Sequence, residues 1–228
     1  MSASDFNENG AARTDAGTMT GQAAGITIGV TGHRPNRLPA GWEAALAPAL
    51  GALLDQVRPQ GGFELLTGLA AGTDSAAARA ARDRVGRVHA VLPFPAAVYA
   101  EDFAQSAERD TFDALLAEAD RVTELPGTRD RAQAAYAALG AYLVRHADLL
   151  LAVWDGQAGR GPGGTADVID HMLKAGRPVL HLRPGAPASE ATLLHLAPGQ
   201  TPPHVTERPV ASLSPADFQA LLSASAGT

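Results

Sequence analysis

The 228-residue sequence has no cysteine, a single lysine and few aromatic residues. The missing cysteine excludes a disulfide framework, a thiolate-ligated zinc or iron–sulfur site, and a cysteine nucleophile. It also fits a cytoplasmic location, which is the one expected. Lys174 is the one lysine among 18 strong bases, set against 24 acids, so the formal net charge is −6. That balance argues against a tight, non-specific hold on nucleic acid, which depends on neutralising phosphates with Lys and Arg. A long apolar run is missing too. The longest, residues 147–154, is interrupted by Asp148 and is far too short for a membrane span, so no membrane partner is expected. Residues 1–25 lack the basic start and apolar middle of a secretory signal. Rich in Ser, Ala, Asp, Asn, Gly and Thr, they read as a disordered leader. No G-x-x-x-x-G-K-[ST] loop is present, which argues against a kinase or ATPase of that type, and no G-x-S-x-G elbow either. His171 and His181 do not stand at the spacing of a zinc site. No metal and no bound cofactor are expected.

What is present is alternation. Apolar, β-branched runs at 26–30, 63–67, 87–92, 121–125, 149–153 and 178–182 read as short strands. Between them lie helical patterns at 39–57, 73–84, 108–119, 128–146 and 166–175. Pro48 inside the first implies a kink or a late start. Thr73 or Asp74 reads as the N-cap of the second, and Gly176 closes the last. Residues 96–103 read as a short helix or an ordered loop. Strands that are continuously apolar must be covered on both faces. The expectation is an α/β fold, a doubly wound, mainly parallel sheet of about six or seven strands with helices on both faces, Rossmann-like, over residues 26–183. Residues 184–228 read as a proline-rich extension. Five prolines fall between 184 and 203, with one apolar run at 192–196 and a final helix at 214–223.

In such sheets ligands bind beyond the carboxyl ends of the strands, where strand order reverses. The loops there are therefore the candidates. Thr31, Gly32, His33 and Arg34 follow the first strand. Arg34 is suited to grip a phosphate or carboxylate with two hydrogen bonds, or is a plain surface arginine. His33 titrates near a ligand or faces solvent. The second strand feeds a turn with two glycines into an alanine-rich helix, LLTGLAAGTDSAAARAA over residues 65–81. Backbone N–H groups of such a turn converge on one spot, which suits a phosphate, or the turn is merely a tight connection. Thr67, Gly68, Leu69, Ala70, Gly72, Thr73 and Asp74 are its candidate contacts, with Asp74 bonding a ribose hydroxyl or capping the helix. Pro93 follows the third strand. Asp155 follows the fifth, as turn-former or ligand contact. Gly163, Gly164 and Thr165 open the next helix, where an anion would gain on the order of 1–2 kcal/mol from the helix dipole. Glu108 begins another helix, facing the site or solvent.

Taken together, TGHR at 31–34, the 65–81 turn, AVLPFP followed by Tyr99, and DLLLAVWDGQAGRGPGGTADVI resemble the SLOG superfamily. That group joins the Rossmann domain of DNA-processing protein A (Smf) with the LONELY GUY (LOG) proteins. The second-strand turn is similar to the S-G-x-A-x-G-x-D-x-x-A-H motif of DNA-processing protein A, with Ala78 where the histidine would stand. The late loop is similar to the LOG motif P-G-G-x-G-T-x-x-E. The resemblance implies a Rossmann-like fold that binds nucleotides or nucleotide-derived ligands, with phosphate at Gly163, Gly164 and Thr165. In LOG enzymes it implies hydrolysis of the N-glycosidic bond of nucleoside 5′-monophosphates. The present loop is shorter by a glycine, and Val168 occupies the position of the catalytic glutamate. Asp167 stands one residue early, about 100° round the helix.

Three functions follow as expectations. The first is a module that binds or senses a nucleotide or phosphorylated small molecule. The second is a nucleotide N-glycosidase, with Asp167 and Glu108 as catalytic carboxylates and Asp74 and Asp155 as further candidates. The third is single-stranded DNA binding, which needs the basic cluster Arg79, Arg82, Arg84 and Arg87 and sits poorly with the net charge. A homodimer through Trp42, Tyr136 and Tyr142 is also compatible, although core packing explains these residues equally well.

Overall fold

The computed structural model describes residues 25–57, 62–84, 86–103, 106–159, 161–196 and 204–225. Apart from Gly25, the expected leader lies outside the described residues, as does most of the turn expected at 59–62.

Six strands form the parallel part of the sheet: β1 (Ile26–Gly32), β2 (Phe63–Thr67), β3 (Arg87–Leu92), β4 (Arg121–Glu124), β5 (Leu149–Val153) and β6 (Val179–Leu182). Two more, β7 (Thr192–Leu196) and β8 (Val205–Pro209), add to it antiparallel. The order is β4-β3-β2-β1-β5-β6-β7-β8, so strand order reverses between β1 and β5. This is the expected doubly wound, mainly parallel α/β fold, with eight strands among the described residues rather than six or seven. The apolar run at 192–196 is the seventh strand. The eighth alternates exposed and half-buried residues, and its sequence VTERP carries no apolar run to announce it.

The helices are α1 (Trp42–Val57), α2 (Thr73–Arg82), α3 (Ala96–Tyr99), α4 (Ser106–Glu118), α5 (Ala132–His146), α6 (Thr165–Lys174) and α7 (Pro215–Ser225). Helix α1 begins at Trp42 and runs through Pro48, so the proline does not set its start. Residues 96–103 split into α3 and a 3-10 turn, Ala100–Asp102. None of these helices is long and apolar enough to cross a membrane.

Strand alternation assigns the core to two faces. Leu65, Leu149, Leu151 and Val153 join Leu50, Leu53, Leu54 and the alanines of α2 on one face. Leu66, Leu150 and Ala152 join Leu143, Val168, Ile169 and Met172 of α5 and α6 on the other. Helix α2 is buried almost all round, because α1 and α4 flank it over the sheet. Its alanines permit that crowding, since a larger side chain would hold neighbouring elements apart. Below the β3–α3 connection, Phe103 stacks on Phe112 at 4.5 Å, and Tyr99 meets both edge-on at 5.3 and 5.5 Å. This aromatic nest fixes where residues 96–103 lie, and so where their polar side chains point.

Candidate functional site

At the β1/β5 reversal a cleft of about 620 Å³ opens at the carboxyl edge of the sheet. Its described lining residues are Thr31, Gly32, Arg34, Ala70, Asp74, Tyr99, Asp102, Gln133, Tyr136, Leu139 and residues 161–165. Of the residues named from sequence, Thr31, Gly32, Arg34, Ala70, Asp74, Gly163, Gly164 and Thr165 thus meet in one place.

The floor is stitched together by backbone bonds. The His33 N–H donates to the Val153 carbonyl at 3.1 Å, tying the end of β1 to the end of β5. The His33 carbonyl accepts from the Thr73 N–H at 3.2 Å and the Thr73 hydroxyl at 3.0 Å. Thr73 therefore anchors the neighbouring loop and caps nothing, and Gly72 is the N-cap of α2, without a side-chain bond. The N-cap expected at Thr73 or Asp74 shifts because Thr73 bonds across to His33 and Asp74 back to Gly68. Gly32 has no room for a side chain, since a Cβ would lie 2.5 Å from the Thr73 Oγ1.

Several donors of the turn after β2 are spent within it. The Gly68 N–H donates to the Asp74 carboxylate at 3.0 Å, and the Leu69 N–H to the Thr67 hydroxyl at 3.1 Å. The Ser75 N–H donates to the Ala70 carbonyl at 3.1 Å, and its hydroxyl to the Gly72 carbonyl at 3.0 Å. Leu69 adopts a positive φ of 53° and is fully buried. Thr67, Gly68, Leu69, Gly72 and Thr73 hold Ala70 and Asp74 against the cleft; they do not line it among the described residues. Asp74 is nine-tenths buried. Burial raises its pKa to about 6, against the pull of the Gly68 N–H, Arg34 and the neighbouring Ala70 and Thr67 groups.

The opposite wall comes from α6 and α5. Gly163 takes φ 79°, where a Cβ would lie 2.6 Å from the Ala137 nitrogen of α5. Its N–H donates to the Asp167 carboxylate at 2.8 Å. Asp167 therefore shapes the loop from behind, with His171 at 3.6 Å, and is not among the cleft's described lining residues. No side chain caps α6, and the Thr165 and Ala166 N–H groups have no acceptor among the described residues. These are the donors an anion would use.

Arg34 stands between the walls with its side chain 43% exposed. Its guanidinium donates to the Tyr136 hydroxyl at 3.2 Å and lies 3.9 Å from Asp102. Burial works against its charge, but Tyr99, Tyr136 and Asp102 hold its pKa above the usual arginine value. The Tyr136 hydroxyl donates to Asp102, which also accepts from Arg129. Burial and the Asp102 bond raise the Tyr136 hydroxyl to about 12, so it remains a donor across the neutral range.

Asp102, Gln133, Tyr136 and Leu139 escaped the sequence reading as site residues. Gln133, Tyr136 and Leu139 recur every three residues, so they share one face of α5. That spacing was visible, but it reads equally well as core. Asp102 carries no motif at all.

The remaining candidates lie elsewhere. Pro93 is buried, and Glu108 borders a neighbouring concavity that also reaches Arg34 and Asp102. His33 is buried, and its Nε2 lies 3.1 Å from the Asp155 backbone nitrogen and 3.2 Å from the Asp155 carboxylate. Burial lowers its pKa, only partly offset by Asp155. Asp155 accepts from Arg37 at 2.6 Å and from the Gln157 N–H at 3.0 Å. Despite some desolvation, the Gln157 N–H, Arg37 and His33 pull its pKa down to about 2. Among the described residues, no group of three or more His, Cys, Asp or Glu could hold a metal ion.

No protein-family model matches the chain, and a search of curated proteins finds no match. Among solved structures, the chain is similar to DNA processing protein A from Streptococcus pneumoniae, with 18% identity, 71% of this chain and 51% of that chain covered, and a TM-score of 0.47. The present chain thus spans about half the length of that protein. It is similar to DNA processing protein A from Helicobacter pylori, whose structure concerns its single-stranded DNA binding mode, at 12% identity, 68% and 64% coverage and a TM-score of 0.44. It is also similar to the Moco carrier protein of Chlamydomonas reinhardtii, at 24% identity, 68% and 74% coverage and a TM-score of 0.39. DNA processing protein A, which the motifs resemble, is therefore also among these structures. At such low scores the likeness says nothing of what this chain binds.

Proposed function

We propose that the chain binds a nucleotide or another phosphorylated small molecule in the cleft at the β1/β5 reversal. One observation carries this reading: Arg34 and the uncapped start of α6 face the same cavity, so a fork of charged donors and a set of backbone donors are available to one anion. The volume of about 620 Å³ suits a ligand of nucleotide size. Asp74 supplies an acceptor for a sugar hydroxyl, and Tyr99, Tyr136 and Leu139 supply apolar wall. Calorimetry with AMP, GMP, CMP and their nucleosides tests the reading. The nucleotides bind about tenfold or more tightly than the nucleosides, because the anion supplies the charge-assisted bonds. Absence of binding by every phosphorylated ligand overturns it.

A second reading is cleavage of the N-glycosidic bond. It is supported by Asp74 and Asp102, which border the same cleft in different environments: one carboxyl pushed to about 6, the other held by Tyr136 and Arg129. Of the four carboxylates named from sequence, Asp74 alone is among the described lining residues, so the reaction would fall to it and Asp102. Release of free base from AMP, abolished by Asp74→Asn, is the expected result, and no free base from any nucleotide sinks the reading. Nothing comparable favours single-stranded DNA. Of the basic cluster, Arg82 and Arg84 are paired with Asp120 and Asp55, while Arg79 bonds to the neutral Thr111 and Arg87 is exposed, so half of the cluster's charge is already balanced.

A further inference from the structure

The cleft has a second lobe. A concavity of about 230 Å³ lies beside it, bordered by Trp154, Arg37 and Gln157, and the two share Gly32, Arg34, Gly164 and Thr165. Those four residues form a saddle between the lobes. Arg34 is the charged member, and its guanidinium, with five donors in a fixed fork, gives one to Tyr136 and lies near Asp102.

The smaller lobe is below the roughly 300 Å³ at which pockets hold a whole ligand, so it suits part of one. Its distinctive wall is the Trp154 indole. That ring is held in place: its N–H donates to the Gln157 carbonyl at 2.8 Å, and it packs on His181 at 5.6 Å. With its polar edge committed, the indole offers the lobe only π surface, on which a planar ring stacks. The larger lobe ends in a different chemistry, the Asp74 carboxyl and the Tyr136 hydroxyl that Arg34 and Asp102 hold. An acidic and hydroxylated lobe, a cationic saddle and an aromatic lobe follow one another along one groove.

We infer that the groove takes a ligand of the dinucleotide class, two ring-bearing halves joined through phosphate, with the phosphates at the Arg34 saddle and one half in each lobe. This rests on the nucleotide reading of the larger lobe and adds Trp154 as the contact for the second half. Arg37 borders the second lobe and is held by Asp155 at 2.6 Å, so it offers its remaining guanidinium donors from a fixed position.

The test is calorimetry of the full chain with AMP and with diadenosine pyrophosphate, repeated with Trp154→Ala and Trp154→Phe. The dinucleotide binds about tenfold more tightly than AMP, and Trp154→Ala removes that advantage while leaving AMP binding unchanged. Trp154→Phe keeps most of it, because a ring remains. The unaltered chain gives a readout that needs no variant: the dinucleotide quenches tryptophan emission at saturation more than AMP does. Equal affinities within about twofold, or an advantage that survives Trp154→Ala, overturn the two-lobed ligand and leave the nucleotide reading standing. Binding of neither compound overturns both.

Discussion

The Tyr136 hydroxyl donates to the Asp102 carboxylate and at the same time accepts from Arg34. One oxygen thus joins α5, the 3-10 turn after α3 and the loop after β1 around the cleft. Its ring packs edge-on to Phe94 at 5.6 Å, so its position does not depend on the hydroxyl.

Tyr136→Phe therefore isolates the hydroxyl. The ring stays, Asp102 keeps Arg129, and the loss is about 1 kcal/mol of stability, read from urea unfolding. Nucleotide affinity falls by less than it does on losing Arg34. An unchanged unfolding midpoint would mean that the hydroxyl bridge contributes nothing.

Arg34→Ala weakens AMP binding by about 10- to 100-fold, the worth of charge-assisted bonds to an anion, and leaves adenosine almost unaffected. Arg34→Lys does not restore it, because an ammonium lacks the planar fork. Equal losses for AMP and adenosine would place the phosphate elsewhere.

Asp74 sets a pH dependence of stability. Its pKa is raised in the fold to about 6, so the unfolded chain releases the proton first. Stability falls as pH rises from about 4 to about 6 and is flat above, by on the order of 2–3 kcal/mol. Asp155 acts in the opposite sense and in a separate window. Its pKa is lowered to about 2, so its contribution is present above about 4 and is lost as pH falls toward 2. Asp74→Asn retains an oxygen for the Gly68 N–H and flattens the higher window alone. Urea unfolding of both proteins between pH 4 and 7 measures the difference; identical slopes would contradict the assignment.

Gly163→Ala strains a positive φ and drives a Cβ to 2.6 Å from the backbone of α5, which cannot yield as a side-chain tip does. It costs about 2 kcal/mol or more and abolishes nucleotide binding. Gly159→Ala in the same loop meets nothing closer than 3.5 Å and serves as the control, with stability within about 0.5 kcal/mol of the parent. Equal effects at both positions would show that the loop adapts.

The alternating elements, the doubly wound sheet and the edge at which the cleft lies are legible in the residue order. Those follow from local patterns: runs such as LLLAV in β5 are apolar throughout because both faces are covered, and the glycines at 68, 72, 163 and 164 mark where strands turn into helices. Which atoms face the cleft depends on how the folded elements meet. Backbone donors of the β2–α2 turn look available in sequence, but Asp74 and Thr67 take those of Gly68 and Leu69, and His33 takes that of Thr73. Asp167 looked like a displaced catalytic carboxylate and instead holds the Gly163 N–H. Arg34 and Tyr136, 102 residues apart, meet because the strand reversal brings the β1 loop beside α5. A side chain's role at this edge is set by partners contributed from other crossovers, and no local periodicity encodes those.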